Sequence, residues 1–137
     1  MKTIDVVAAV IYKDDRIFVT QRGYGEYKDF WEFPGGKIEE GEAPADALIR
    51  EIREELDTLI EPVKLIDRVE YDYPSFHLSM RCYASRIIEG DLHLKEHEDA
   101  KWLTRFELDS VGFLPADREL VDRIFRNWDI YFDRCYF

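Results

Sequence analysis

Apolar and polar positions follow two different periods along this chain. Residues 3–12 are an apolar, β-branched run that reads as a strand; Asp14-Asp15 marks a turn, and Arg16 to Arg22 reads as its hairpin partner. A polar, glycine-containing loop follows at 23–29, and Trp31-Glu32-Phe33 is a short extended piece leading to Pro34 and a pair of glycines. Near Ala43 the pattern becomes helical. Pro44 falls in the first turn, where a missing N–H costs nothing, and neither Gly nor Pro recurs until beyond Thr58, which predicts about four turns. Ala45, Leu48, Ile49, Ile52 and Leu56 share the apolar face of that helix, and Glu51, Glu54 and Glu55 gather on a neighbouring one. Two extended runs, Val63 to Tyr73 and Phe76 to Ile88, are broken by Pro74-Ser75 and read as an antiparallel pair. Tyr71, Tyr73, Phe76 and His77 cluster at that corner, where a packed rim is the default expectation and a wall of the pocket the second reading. After a polar segment at 89–97, Ala100 to Thr104 predicts a last strand and Phe106 to Ser110 a helical turn. A final helix carries Leu120, Val121, Ile124, Phe125 and Trp128, with Asp117 at its start as an expected N-cap. The tail from Asp129 to Phe137 is rich in aromatic residues.

The three glutamates of the first helix need a reason. Carboxylates at i, i+3 and i+4 repel one another, so grouping them gains nothing in water, whereas a hard divalent cation turns the repulsion into coordination. Magnesium is the natural cation. A solvated acidic face paired with Arg50 and Arg53 is the plain alternative for an isolated run of this kind. Here the preceding segment supplies what a phosphate site also needs: the Gly35-Gly36 pair lets a backbone carbonyl or amide approach a metal or anion closely, and Lys37 adds a point charge for a phosphate oxygen.

Composition narrows the partners. With 137 residues, 46% of them hydrophobic and 15% aromatic, the chain has the size and content of one domain with its own core, and no apolar run approaches a membrane span. Asp5 interrupts the first apolar segment too early for a signal peptide, so a cytoplasmic protein is expected. Cys82 and Cys135 share no metal-site spacing with each other or with His77, His93 and His97, and are expected to be reduced thiols. The formal charge of −11 disfavours binding to a nucleic-acid backbone, although metal ions and a few basic residues can admit a small anionic substrate.

Taken together, Gly36, Glu42, Arg50, Glu51, Ile52, Glu54 and Glu55 stand at the spacing of the Nudix box, G-x5-E-x7-R-E-U-x-E-E-x-G-U with U aliphatic, and the chain resembles the MutT-like branch of the Nudix hydrolases. Asp57 stands where the family has its second glycine and Thr58 where it has an aliphatic residue. That glycine's role is to leave the helix in a left-handed conformation, which Asp tolerates. The resemblance implies an α+β fold, the Nudix α/β/α sandwich, with a mixed β-sheet, one catalytic helix and one C-terminal helix over residues 1–137. It implies a nucleoside triphosphate pyrophosphohydrolase, acting on 8-oxo-dGTP or CTP, as a monomer or homodimer, with Mg²⁺ as cofactor and Mn²⁺ as its alternative. Glu51, Glu54, Glu55, Glu96 and the Gly35 carbonyl would hold the metal, with Glu98 a neighbouring alternative to Glu96. Glu51 or Glu96 would accept the proton, and Arg50 with Glu42 would orient the cluster. Arg22, Phe33, Lys37 and Asp117 would contact the nucleotide, Asp117 as an ionised acceptor for the N–H groups of a base edge. Two other readings are a Nudix hydrolase of another nucleoside diphosphate derivative, such as ADP-ribose, and a non-catalytic nucleotide sensor.

Overall fold

A computed structural model describes residues 1–95 and 97–133. Its hub is β1 (Thr3–Lys13), whose central residues are buried on both faces. Two aspartates, Asp14 and Asp15, adopt φ of 52° and 63°, and two consecutive left-handed residues are what a tight hairpin requires. The turn returns the chain as β2 (Arg16–Arg22), paired antiparallel with the end of β1. β3 (Trp31–Glu32) pairs with β2, and β4 (Gly35–Lys37) turns back along β1. The glycine pair therefore lies in a strand, where the sequence suggested a loop. β5 (Leu59–Tyr73) and β6 (Phe76–Glu89) form the long antiparallel pair, and β6 runs parallel to β1. β7 (His97–Thr104) pairs with β2. The path through the mixed sheet is β3-β2-β1-β6-β5, with β4 on β1 and β7 on β2. β5 begins four residues before the expected Val63 and β7 three before Ala100, because both ends are recruited by partners distant in sequence.

Alternation along β1 divides the core. Val7, Ala9 and Ile11 pack against α1 (Pro44–Leu56), whereas Ala8, Val10 and Tyr12 face the cluster that includes α2 (Pro115–Arg126) and the short α3 (Trp128–Tyr131). Helices thus cover both faces of the sheet, as the α/β/α expectation required. The buried stripe of α1 is Ala47, Leu48, Ile52 and Leu56; Ala45 and Ile49 are only half-buried. Burying one such Leu or Ile contributes about 1.5–3 kcal/mol. Like-charge pairs on the adjoining face cost only a few tenths each, so the apolar anchor holds the glutamates in place.

The departure from the family pattern at the helix end is accommodated. Asp57 takes φ 53° and ψ 40°, and its N–H donates to the Arg53 carbonyl at 3.1 Å. Thr58 is buried, and its hydroxyl is placed at 3.0 Å from the Leu56 carbonyl and 2.9 Å from that of Asp91. Its buried hydroxyl is satisfied where an aliphatic side chain would only have packed.

Candidate active site

Two lines of backbone pairing bring the site together. β4 lies against β1 with Gly36 opposite Val7, directly beside α1. A Cβ on Gly36 would overlap the carboxylate of Glu51 and push it aside, whereas one on Gly35 would overlap the Val7 carbonyl, so close approach of the backbone requires glycine at Gly35. On the other side, Trp31 exchanges backbone hydrogen bonds with Gly112 and Leu114 at 2.9 Å each. This fastens β3 to the entrance of α2 and sets Phe33 beside Asp117.

Arg50 organises the acidic turn. Its guanidinium donates to both oxygens of Glu42 at 2.8 and 2.9 Å, to Glu51 at 2.9 Å, to Glu54 at 3.3 Å and to the Lys37 carbonyl at 3.0 Å. The paired hydrogen bonds from Arg50, with a further one from the Glu39 N–H, hold the Glu42 carboxyl down to about 2, and the same Glu42 bonds raise the guanidinium's own pKa. Glu51 and Glu54 turn toward Arg50, while Glu55 lies 3.9 Å from His97. Among the described residues no three carboxylate, imidazole or thiol side chains converge into a metal cage by themselves. Glu51 and Glu54 share Arg50 as their cation in this arrangement. The corner nevertheless fits a divalent cation: its donors are hard oxygens on one helical turn, and the missing Cβ of Gly36 leaves the space that the Glu51 carboxylate occupies. Glu96 lies outside the described residues, as does Cys135; Cys82 is a buried free thiol whose pKa burial pushes up.

Two adjoining hollows open beside this corner. Val6, Arg22, Glu32, Gly35 and Gly36 line both. Toward α1 the hollow is polar in its chemistry, with Lys37, Glu55, His97 and Tyr24. Toward α2 it is bounded by Tyr27, Phe33, Tyr73, Phe76 and Asp117. The sequence-predicted Arg22, Gly35, Lys37 and Glu55 thus surround one hollow, and Arg22, Phe33, Gly35 and Asp117 the other. Arg22 is not free at a strand end: it donates to both Glu32 oxygens at 2.9 and 2.8 Å. Phe33 is buried and stacks on Phe113 at 5.4 Å.

Sequence reasoning left three wall residues out or assigned them elsewhere. Tyr73 and Phe76, read first as a packed rim and only second as a pocket wall, stack at 5.1 Å and form that wall, with burial raising the Tyr73 hydroxyl to about 12. His77 of the same corner instead binds Asp72 and Glu70 at 2.6 and 2.9 Å, away from the hollow. Glu32 was read only as part of a strand. The pairing of β3 with β2 puts it level with Thr20 and within reach of Arg22, a register that no local signal in the sequence gives.

Asp117 requires the largest correction. It is not the N-cap of α2; that position is Leu114, and Asp117 lies inside the first turn with its carboxylate accepting the Phe33 N–H at 2.9 Å. Burial first, and then the negative charge of Glu32, raise its pKa to about 7, against the opposing pull of the Phe33 N–H and Arg22. The shift favours the protonated form over a wider pH range than an exposed aspartate allows. A raised acid pKa weakens the fold as the proton leaves: the contribution is complete below the ordinary value of 3.8 and is lost as pH rises through about 7. The shift corresponds to an order of about 4 kcal/mol at most. Denaturation of the wild type and Asp117→Asn at pH 5 and pH 8 is expected to show the variant gaining a few kcal/mol relative to the wild type at the higher pH. Equal pH dependence in the two proteins would contradict this.

The family model of the NUDIX domain matches residues 2–126. The chain belongs to the Nudix family. It is 30% identical to the 8-oxo-dGTP diphosphatase of Escherichia coli strain K12 over 92% of this chain and 99% of that protein, and 31% identical to the CTP pyrophosphohydrolase of the same organism over 89% and 91%. Among solved structures, the E. coli ORF135 protein superposes with a TM-score of 0.80 at 29% identity over 97% of this chain and 96% of its own. The MutT protein of methicillin-resistant Staphylococcus aureus 252 does so at 0.73 and 34% over 93% and 99%. Nudix hydrolases act on phosphoric anhydride bonds and generally use divalent cations. Among the described residues no helix is long and apolar enough to cross a membrane.

Proposed function

We propose that residues 1–137 form one MutT-like Nudix unit that hydrolyses a nucleoside triphosphate to the monophosphate and pyrophosphate, using Mg²⁺ or alternatively Mn²⁺. The observation that carries this reading is the contact between Gly36 and Glu51, which sets the acidic turn of α1 against the hollow that Arg22 and Lys37 line. A bound divalent cation would neutralise phosphate charge and lower the pKa of the attacking water. Glu51, Glu54, Glu55, the Gly35 carbonyl and Glu96 are its proposed ligands, and Glu51 or Glu96 takes the proton from water. Arg50, clamped on Glu42, orients Glu51 and Glu54. Lys37 and Arg22 attract the phosphates; Phe33 and Asp117 bound the space for the base.

As a carboxylate, Asp117 accepts hydrogen bonds, which favours a base edge presenting N–H groups, such as guanine's N1/N2 side or the cytosine amino group. Free nucleotides are the substrate, since the net charge of −11 opposes a nucleic-acid backbone. We place the protein in the cytoplasm as a monomer or homodimer. The test is a panel of CTP, dCTP, dGTP, 8-oxo-dGTP, ATP and ADP-ribose with Mg²⁺, with pyrophosphate and phosphate release measured separately. Pyrophosphate from cytosine or guanine triphosphates is the expected result; turnover confined to ADP-ribose would contradict it.

A further inference from the structure

His97 opens β7 at an irregular point in the sheet. From Thr104 opposite Arg16 to Asp99 opposite Gln21, the strand pairs with β2 in unbroken antiparallel register. The register then skips one residue, and Arg22 faces His97. Without the skip, Arg22 would face Glu98 and His97 would stand one step out of phase. A bulge of this kind changes which side chains share a face. Here it puts His97 on the face of Arg22, and both line the hollow that contains Glu55.

The His97 side chain is 11% exposed and the Glu55 side chain 21%, with Nε2 and Oε2 3.9 Å apart. That separation is beyond hydrogen-bond length, but catalytic pairs of this sort tighten when substrate binds. α1 and β7 belong to different parts of the chain, and this contact joins them across the hollow. We propose that His97 is a positioning residue: from the bulged start of β7 it fixes the carboxylate of Glu55, so that Glu55 presents its oxygens to the divalent cation. This deepens the proposed function and rests on it.

His97→Ala is expected to lower kcat about 10- to 100-fold and to weaken cation binding by a similar factor, the usual range for a residue that orients a ligand. KM for the nucleotide triphosphate stays within about threefold. His97→Gln, which retains a side-chain N–H, recovers most of kcat. Mn²⁺ titration of the nucleotide-free protein by electron paramagnetic resonance supplies a readout independent of turnover: His97→Ala and Glu55→Gln each weaken binding, and the double variant is no weaker than Glu55→Gln alone. Unchanged kcat and Mn²⁺ affinity in His97→Ala, or strictly additive losses in the double variant, would overturn the inference. His97→Phe fills the same space without an N–H; if it recovers activity as well as His97→Gln does, the role is packing and the inference fails. Should His97→Ala not fold, the Gln and Phe variants decide by the same criterion. Wild-type protein that neither binds Mn²⁺ nor turns over triphosphates would sink the proposed function itself, whereas an active wild type with an unaffected His97→Ala refutes this inference alone.

Discussion

Glu54→Gln is expected to reduce triphosphate turnover about 10³-fold while leaving the protein folded, a loss of roughly 4 kcal/mol of transition-state stabilisation. The separation between chemistry and stability makes this variant informative. The Glu54 side chain is 59% exposed, and its recorded ion pair is the helical contact with Arg50 at 3.3 Å. An exposed i,i+4 pair contributes about 0.3–0.5 kcal/mol, too little to unfold a domain. A purely solvated acidic face would therefore tolerate the amide with near-normal activity, whereas a cation ligand loses its charge. Steady-state kinetics with saturating Mg²⁺, beside a thermal melt, reads both quantities.

Gly36→Ala is the second variant with a large expected effect, an activity loss on the order of 10²-fold with a stability change below about 1 kcal/mol. The added Cβ meets the end of the Glu51 side chain, which can swing aside, so folding is spared and the carboxylate is displaced. Gly35→Ala supplies the contrast. There the added carbon runs into the Val7 carbonyl of β1, a backbone atom held in the sheet, and the cost falls on the fold. The same added methyl group thus separates a position that serves the site from its neighbour that serves the sheet. If Gly36→Ala retained full activity, the placement of Glu51 against β4 would have no catalytic consequence.

How much of this was legible in the sequence depends on the range of the interaction. The α1 helix, its proline start, its acidic turn and the left-handed Asp57 are local in origin, and periodicity together with the Nudix-box spacing reads them correctly. The hairpin at Asp14-Asp15 is local too. What the sequence concealed depends on pairing between distant segments. Gly35 and Gly36 are drawn into a strand because β1 offers them an unpaired edge, and no local signal in a Gly-Gly-Lys run indicates that. Asp117 looks like a cap from its position after Pro-Ala. It becomes a buried acid only because β3 is fastened to the entrance of α2, 84 residues from the N–H it accepts. Tyr73 and Phe76 look like rim aromatics until α2 closes over them, with the Ala116 N–H donating to the Tyr73 hydroxyl at 3.2 Å. His97 carries no motif; a single skipped residue in the β2·β7 register brings it into the hollow. Burial of the site, then, is a property of the sheet's long-range connections, whereas its charges are written locally.

The proposed grip on a divalent cation lies between the acidic turn of α1 and the facing glycines of β4. It is tested most directly by following backbone amide signals in solution while Mn²⁺ is added. Selective broadening at residues 51–56 and at Gly35 and Gly36 is the predicted result, abolished when Glu51, Glu54 and Glu55 are together replaced by glutamine. Broadening spread over the other acidic surfaces of the protein, or unchanged by that triple replacement, would contradict it.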